Sequence, residues 1–359
     1  MKKRPARLVD VARAAGVSLA TASRALAAPD LVVAGTRTRV REAAAMLGYV
    51  AHGAARALAS RRSRTIGAVL PTIDNPIFAS AVQALARELS ASGYTLLIAS
   101  HEYDPHAEAN VTRALIERGV DGLVLVGIDH PPELLQDLAR IGIPCELTWA
   151  LDPSGFHHCV GFANREASAR CAHHLLELGH RRFAMLSGAL AYNDRARDRV
   201  AGVRDALASR GIELPAAHVV ETSFSLHGGR EGLRTLWKRL GRDAFTALVC
   251  GNDLIALGAL IECAAKRVKV PQALSVVGFD DIELSAEFSP ALSTVHVPSA
   301  AIGRLAAERL VARLEGRRVP RAQRLDVELV VRETTARAPS RHSRGVSAAA
   351  RRGNARSAP

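Results

Sequence analysis

Residues 8–50 read LVDVARAAGVSLATASRALAAPDLVVAGTRTRVREAAAMLGYV, and that spelling predicts three short helices. Leu8, Val11, Ala12 and Ala15 recur at i, i+3, i+4 and i+7, one helical face. Gly16 stands where a left-handed turn residue is needed. Val17 plugs the turn, and Ser18 is placed to cap a second helix. That helix, 18–27, turns Ala22 and Leu26 inward and leaves Leu19, Ala20, Ser23 and Arg24 facing out. A third helix begins near Thr36, carries Val40, Ala43, Ala44 and Leu47 as its apolar stripe, and ends at Gly48-Tyr49. Two helices joined by a tight turn allow the second to enter a major groove. There Arg24 suits a guanine edge, a contact worth roughly 1–3 kcal/mol of discrimination. Leu19 and Ala20 suit thymine methyls, Ser23 shares their face, and Ser18, Thr21 and Thr36 suit phosphates. A three-helix bundle with no nucleic-acid role has the same spacing, so the helices alone leave both readings open.

Charge shifts the balance towards DNA, with a solubility effect or an Arg- and Ala-rich genome as the other source of such a charge. The 359 residues carry a net charge of +13, unevenly spread. Residues 1–64 hold thirteen Lys and Arg against Asp10, Asp30 and Glu42, and residues 337–359 hold six Arg and no acid. The stretch between them is slightly acidic. A basic head on an acidic body points to a polyanion partner for the head. Residues 337–359, rich in Arg, Ser, Ala and Pro and without apolar period, read as a disordered basic tail.

From Thr65 the pattern changes. Short runs rich in Val, Leu and Ile (Thr65–Leu70, Gly122–Val126, Ala247–Cys250, Leu274–Phe279) alternate with amphipathic helical stretches, several ending at a glycine such as Gly93, Gly142 or Gly211. Continuous apolar strands alternating with helices imply parallel sheets covered on both faces. There are too many units for one sheet, so two α/β lobes are expected. The fold class is thus an all-α helix-turn-helix head on a two-lobed α/β core.

Several chemistries are not supported. No phosphate-binding glycine loop, dinucleotide fingerprint, zinc-protease motif or nucleophile elbow occurs. His157-His158 with Cys159, and His173-His174, are adjacent residues that point in different directions, a poor metal set. Five cysteines without a Cys-x-x-Cys pair fit reduced thiols in a cytoplasmic protein. No apolar run approaches about 18 residues, and no signal peptide is visible at Met1-Lys2-Lys3-Arg4-Pro5. An enzyme, a cofactor and a metal are therefore not expected.

The stretch 8–71, LVDVARAAGVSLATASRALAAPDLVVAGTRTRVREAAAMLGYVAHGAARALASRRSRTIGAVLP, resembles the head and linker of the lactose/galactose repressor (LacI/GalR) family, and the likeness continues to about residue 336. Within the family, ELTW (146–149), VGFANREA (160–167), LGHRRFAMLSG (178–188) and DRARDRVAGVRDAL (194–207) are most similar to repressors of gluconate utilisation. The resemblance implies a DNA-binding domain at 1–50 and a hinge helix and linker at 51–64. It implies a periplasmic-binding-protein-like effector and dimerisation domain at 65–336, with lobe 1 near 65–162 and 294–322 and lobe 2 near 163–293 and 323–336. It implies operator DNA, a homodimer and a sugar or sugar acid (gluconate or a phosphorylated derivative) as partners. Leu58, in Gly53–Ala59, falls at the family's minor-groove wedge. The sequence departs from the family at Tyr49-Val50-Ala51-His52, where Tyr-x-Pro-Asn is usual, and at Ala34, where Ser is usual. By motif, the ligand cleft takes Phe78 after PTIDNP, Trp149, Arg195 and Arg199, Phe224, Asn252 in CGND and Asp280 in VGFDD. Arg195 and Arg199, at i and i+4, repel unless an anion joins them; a surface pair neutralised by Asp194 and Asp198 is the other reading. Asp281 is expected to be structural, and His101-Glu102 near Tyr103 to lie towards the cleft mouth. A transport protein of the same core, binding sugar without regulating, is the rival function; it leaves the basic head unexplained.

Overall fold

In a computed structural model, residues 4, 6–27, 29–50 and 62–339 are described. The predicted hinge 53–59, with Leu58, and the tail beyond Pro339 lie outside the described residues. Two compact units divide the chain at Thr65–Ile66.

The head contains α1 (Leu8–Ala14), α2 (Leu19–Ala27) and α3 (Ala34–Met46). Its core is built from small residues: Val11, Ala12, Ala15, Ala22, Ala25, Val40, Ala43 and Ala44, with Leu26 only partly buried at the edge. Alanine lets three short helices approach closely where few large side chains are available. Gly16 takes φ +64°, and Val17 seals the turn by donating its N–H to the Ala12 carbonyl at 3.0 Å. Helix α3 starts two residues before the expected Thr36. Its N-cap is Val33, which has no side-chain oxygen to offer, and Leu47 is exposed rather than packed.

The body holds two six-stranded sheets. Its strands are β1 (Thr65–Leu70), β2 (Thr95–Ser100), β3 (Gly122–Val126), β4 (Cys145–Thr148), β5 (Cys159–Gly161), β6 (Phe183–Ser187), β7 (Val219–Glu221), β8 (Ala247–Cys250), β9 (Ser275–Asp280), β10 (Ser293–His296), β11 (Ala322–Arg324) and β12 (Glu328–Val330). The first sheet runs β11-β5-β4-β3-β1-β2 and the second β12-β10-β9-β8-β6-β7. All described pairings are parallel except β10 with β12. Strands β1 and β3 are buried throughout apart from Thr65, as a sheet covered on both faces requires. Strand β10 belongs wholly to the second sheet. The chain therefore crosses between lobes after His296 rather than at 294, and it returns after Arg324 rather than at 322.

Helices α4 (Pro76–Ala91), α5 (Pro105–Glu117) and α6 (Pro132–Ile141) each begin with proline, whose missing N–H costs nothing there. Helix α6 ends at Gly142 in the left-handed conformation the sequence pattern called for. In the second lobe follow α7 (Asn164–Glu177), α8 (Asp194–Ala208), α9 (Leu226–Leu240), α10 (Asp253–Ala265) and α11 (Glu283–Glu287); α12 (Ser299–Leu314) packs back on α4 in the first lobe. One apolar cluster runs through both lobes, with Phe162 stacked on Phe279 at 6.1 Å. A second fills the other face of the β6-β8-β9 sheet. Between strands and helices, the carboxyl ends of β1, β2, β4, β6, β8 and β9 open on one pocket.

Candidate recognition helix and ligand cleft

The head presents the face expected of it. Leu19, Ala20, Ser23 and Arg24 are exposed on α2, with Leu19 52% exposed. Ser18 Oγ accepts the Thr21 N–H at 3.1 Å and lies 2.8 Å from the Thr21 hydroxyl, so cap and candidate phosphate ligand are the same atom. Thr36 is half-buried, and its hydroxyl is 3.5 Å from the Arg39 guanidinium.

In the body, all seven cleft residues expected from the motifs line one pocket: Phe78, Trp149, Arg195, Arg199, Phe224, Asn252 and Asp280. The free space is small, about 30 Å³, room for roughly two waters. Phe78 meets Trp149 edge-on with centroids 5.0 Å apart. Phe224 stacks on Tyr103 at 5.3 Å, so two aromatic rings from different lobes fill the place between them.

The arginines are not a surface pair, and Arg195 still works against the charge on Arg199. Both are buried, and each has its own partners. Arg195 Nη1 donates to the Val126 carbonyl at 3.1 Å and to Asp194 Oδ1 at 2.8 Å. Arg199 donates to Asn164 Oδ1 at 3.0 Å and to the Gly251 carbonyl at 2.6 Å, and its Cζ sits 3.6 Å from the Phe279 ring centroid. Asp280 Oδ1 is 3.7 Å from Arg199, outside hydrogen-bond range. Burial pushes the Asp280 carboxyl up to about 8; nearby Asp253 adds to this, and Arg199 opposes it. Burial also lowers Arg199 from its ordinary value. Asp281 pairs with His296 at 2.9 Å and Arg332 at 2.8 Å, a structural role as expected. Asp198 does not neutralise Arg199; it is exposed, and desolvation and Asp194 raise its carboxyl above the ordinary value.

Sequence reasoning missed Asn75, Asn193 and Ser187 in the lining, and where it set His101-Glu102 towards the cleft mouth it is their neighbour Tyr103 that lines the pocket. Asn75, Asn193 and Asn252 are the N-caps of α4, α8 and α10, accepting from Ile77, Ala196 and Ile255. Three helix N-termini thus open on the pocket, and each favours negative charge. The Asn-Pro at 75–76 is a legible cap signal; Tyr103 had only its place beyond the end of β2. Tyr103 (φ +62°), Trp149 (φ +62°) and Asp280 (φ +119°) hold backbone conformations that side chains rarely adopt, strain that concentrates at binding sites. Trp149 Nε1, Ser187 Oγ and Asn252 Nδ2 are buried and find no protein partner among the described residues. Such groups are costly unless something else satisfies them.

A family model described as bacterial regulatory proteins, lacI family, matches residues 7–52. One described as a periplasmic binding protein-like domain matches residues 172–335. The transcriptional regulator GntR of Pseudomonas aeruginosa is 36% identical over 91% of this chain and 95% of its own. GntR of Escherichia coli is 32% identical over 89% of this chain and 94% of its own. The chain belongs to the LacI family. It is a DNA-binding transcriptional regulator, which removes the transport-protein alternative. Among solved structures, the lac repressor dimer bound to operator and an anti-inducer is similar with a TM-score of 0.79 at 27% identity, over 93% of this chain and 100% of that one. A LacI-family regulator from Silicibacter pomeroyi reaches a TM-score of 0.83 at 28% identity, over 93% and 100%. No described helix of this LacI-family chain is long and apolar enough to cross a membrane.

Proposed function

We propose that this regulator is a cytoplasmic homodimeric repressor, without catalytic activity, that releases its operator when a sugar acid enters the interlobe pocket. The domains follow the sequence reading: head 1–50, hinge 51–64 with Leu58 as wedge, and effector domain 65–336. The α2 face bearing Leu19, Ala20, Ser23 and Arg24 reads the operator, and Ser18, Thr21 and Thr36 hold phosphates. A dimer suits a palindromic operator, whose symmetry mirrors the protein's.

The observation that carries the effector class is the surplus of donors in the pocket. Two buried guanidiniums, three helix N-termini and the unpartnered Trp149 Nε1 and Asn252 Nδ2 converge there. The facing carboxyl of Asp280 is largely protonated near neutrality. A carboxylate bearing hydroxyls meets that set; a neutral sugar brings acceptors but no charge to the helix N-termini and the unpartnered donors. The GntR relatives support gluconate as the first acid to try. Entry needs Tyr103 and Phe224 to part, and that parting is the movement that couples ligand to head. Coupling is reciprocal, so operator weakens ligand by the factor that ligand weakens operator.

The test is anisotropy of a labelled duplex from upstream of the protein's own gene, titrated with protein in D-gluconate or in glucose. Gluconate is expected to lower affinity tenfold or more, a coupling of about 1.4 kcal/mol, with glucose inert. A panel of sugar acids without effect, beside a neutral sugar that does act, would overturn the effector class.

A further inference from the structure

The chain crosses between the lobes at one edge of each sheet. Strands β5 and β11 lie at one end of the first sheet, and β10 and β12 at one end of the second. Tyr103 follows β2 and Phe224 follows β7, the strands at the opposite ends, so their stack closes the mouth of the cleft. A second contact joins the lobes between the crossings and the mouth. It sets the loop after β3, residues 127–130, against the first turn of α8. Arg197 Nη1 lies 2.7 Å from Asp129 Oδ2, and Arg195 Nη1 donates to the Val126 carbonyl at 3.1 Å. The approach is close enough to demand glycine. Gly127 has φ +91°, and a Cβ there would collide with Arg195 Nη1 and lie 2.5 Å from Asp194 Oδ1.

Each side of this contact is firmly mounted. On the first lobe, the buried His130 ring places Nδ1 2.7 Å from Glu108 Oε1, on α5, and Nε2 3.2 Å from the Gly127 carbonyl, which closes the loop on itself. On the second, Asn193 caps α8 by accepting the Ala196 N–H, and Arg197 also donates to the Leu190 carbonyl at 2.9 Å. Arg324 with Glu166 bridges the lobes too, but beside the crossing strands, where the chain itself already holds them. Asp129 and Arg197 stand away from the crossings, where parting lobes must separate them.

We propose that Asp129 and Arg197 form a clasp that holds the ligand-free cleft shut. The clasp bears on regulation because the interlobe pocket is the effector site, the reading on which this rests; it does not depend on which effector is taken. Shut and open forms differ by the pair, so the pair helps to set the fraction of protein that admits ligand, and apparent ligand affinity falls with that fraction. The two side chains are 45% and 31% exposed. A pair so placed changes an equilibrium by about 1.4- to 5-fold, which trims closure rather than locking it, and salt weakens it. Arg195 connects the clasp to the pocket, since the guanidinium that meets Val126 also lines it.

The test places a thiol probe, Ser187→Cys, in the full chain without ligand. Ser187 is 1% exposed, its hydroxyl has no protein partner among the described residues, and the Phe224 ring covers the adjoining Gly188. A thiol there meets iodoacetamide when the cleft opens, and where opening is fast and reversible the labelling rate follows the open fraction. Peptide mass spectrometry reads the probe beside Cys250, which is buried on the other face of the same sheet and reports unfolding of the lobe. In this background Asp129→Asn and Arg197→Gln are each expected to label the probe about two- to fivefold faster than the parent. The double variant is expected to be no faster than either, with Cys250 slow throughout. Probe rates equal to the parent in both single variants would overturn the proposal. So would effects that multiply in the double variant, because the two charges would then not act on each other. A matching rise at Cys250 would overturn it in favour of unfolding, and a parent probe as fast as a free thiol would remove the shut cleft itself. No effector enters the experiment, so a failed clasp leaves the sugar-acid reading standing, and inert gluconate leaves the clasp standing.

Discussion

Replacing Asp280 by Asn removes one ionisable group from the pocket and keeps its shape. Burial holds the Asp280 carboxyl at about 8, against 3.8 for an ordinary aspartate. The folded protein therefore keeps this proton from about pH 4 to pH 8, where the unfolded chain has released it. Proton binding by the folded state favours folding at low pH, and the benefit fades as pH rises, by about 1.4 kcal/mol per pH unit through that window. The Asn variant has no proton to lose. The variant's stability relative to wild type is then expected to climb by about 4 kcal/mol from pH 5 to pH 8. At about 2–4 °C per kcal/mol for a body of this size, that is a gain of about 10 °C in relative melting temperature. Asp253, raised by burial to about 6, has the same sign below that pH, but it is present in both proteins and cancels. Arg199 does not lose its support, because its hydrogen bonds go to Asn164 and Gly251 while Asp280 stands 3.7 Å away. The assay is a pair of thermal melts in matched buffers of constant ionic strength from pH 4.5 to 8.5. Parallel curves would refute the reasoning. A variant that melts below wild type at pH 8 would refute it more strongly, since the Arg199–Asp280 pair would then be ionised and stabilising.

Three further outcomes are expected. Arg24→Ala in α2 should cost about 1–3 kcal/mol of operator discrimination, roughly 5- to 150-fold, with random-duplex affinity within a few-fold of wild type; anisotropy on both duplexes measures it. Gly202→Ala should destabilise the body by about 1–3 kcal/mol, because the added Cβ would lie 1.9 Å from the Arg165 carbonyl oxygen where α8 crosses α7; urea melts check this. Tyr103→Ala should open the pocket in the absence of ligand, since its stack on Phe224 is what closes the gap. Acrylamide should then quench Trp149, which is 4% exposed, more strongly than in wild type, with Trp237 giving an unchanged background in a Trp149→Phe control.

The parts of the molecule legible in the sequence were those set by local physics. Strands β1, β3 and β8 fell on the expected residues because each is an unbroken apolar run between polar boundaries. The outward face of α2 followed from helical period alone. Strands β5, β10, β11 and β12 were missed; each is only three or four residues long and takes its identity from a neighbour rather than from its own composition. The crossover after His296 was misplaced for a related reason: Ser293–His296 carries no mark of which sheet it will join. Tyr103 was placed only near the cleft mouth and not in the lining, because its position comes from a left-handed turn after β2, and nothing in His101-Glu102-Tyr103 announces positive φ at two residues that are not glycine.

Arg195 and Arg199 line the pocket, but not for the reason their spacing suggested. Spacing on a helix made them a repelling pair in want of an anion. In the folded chain they point to different partners, and neither relies on the other for neutralisation. The demand for an anion lies elsewhere, in donors that end in the pocket without an acceptor: Trp149 Nε1, Asn252 Nδ2 and the N-termini of α4, α8 and α10. Those donors come from strand ends far apart in sequence, so no window of neighbouring residues contains them together. What binds there must supply several acceptors at once and displace the Tyr103–Phe224 stack. A small inorganic anion can do the first but is too small to hold the rings apart. A polyhydroxy acid can do both; separating the rings subtracts from its affinity, and only its preference for the parted over the stacked arrangement can shift DNA binding.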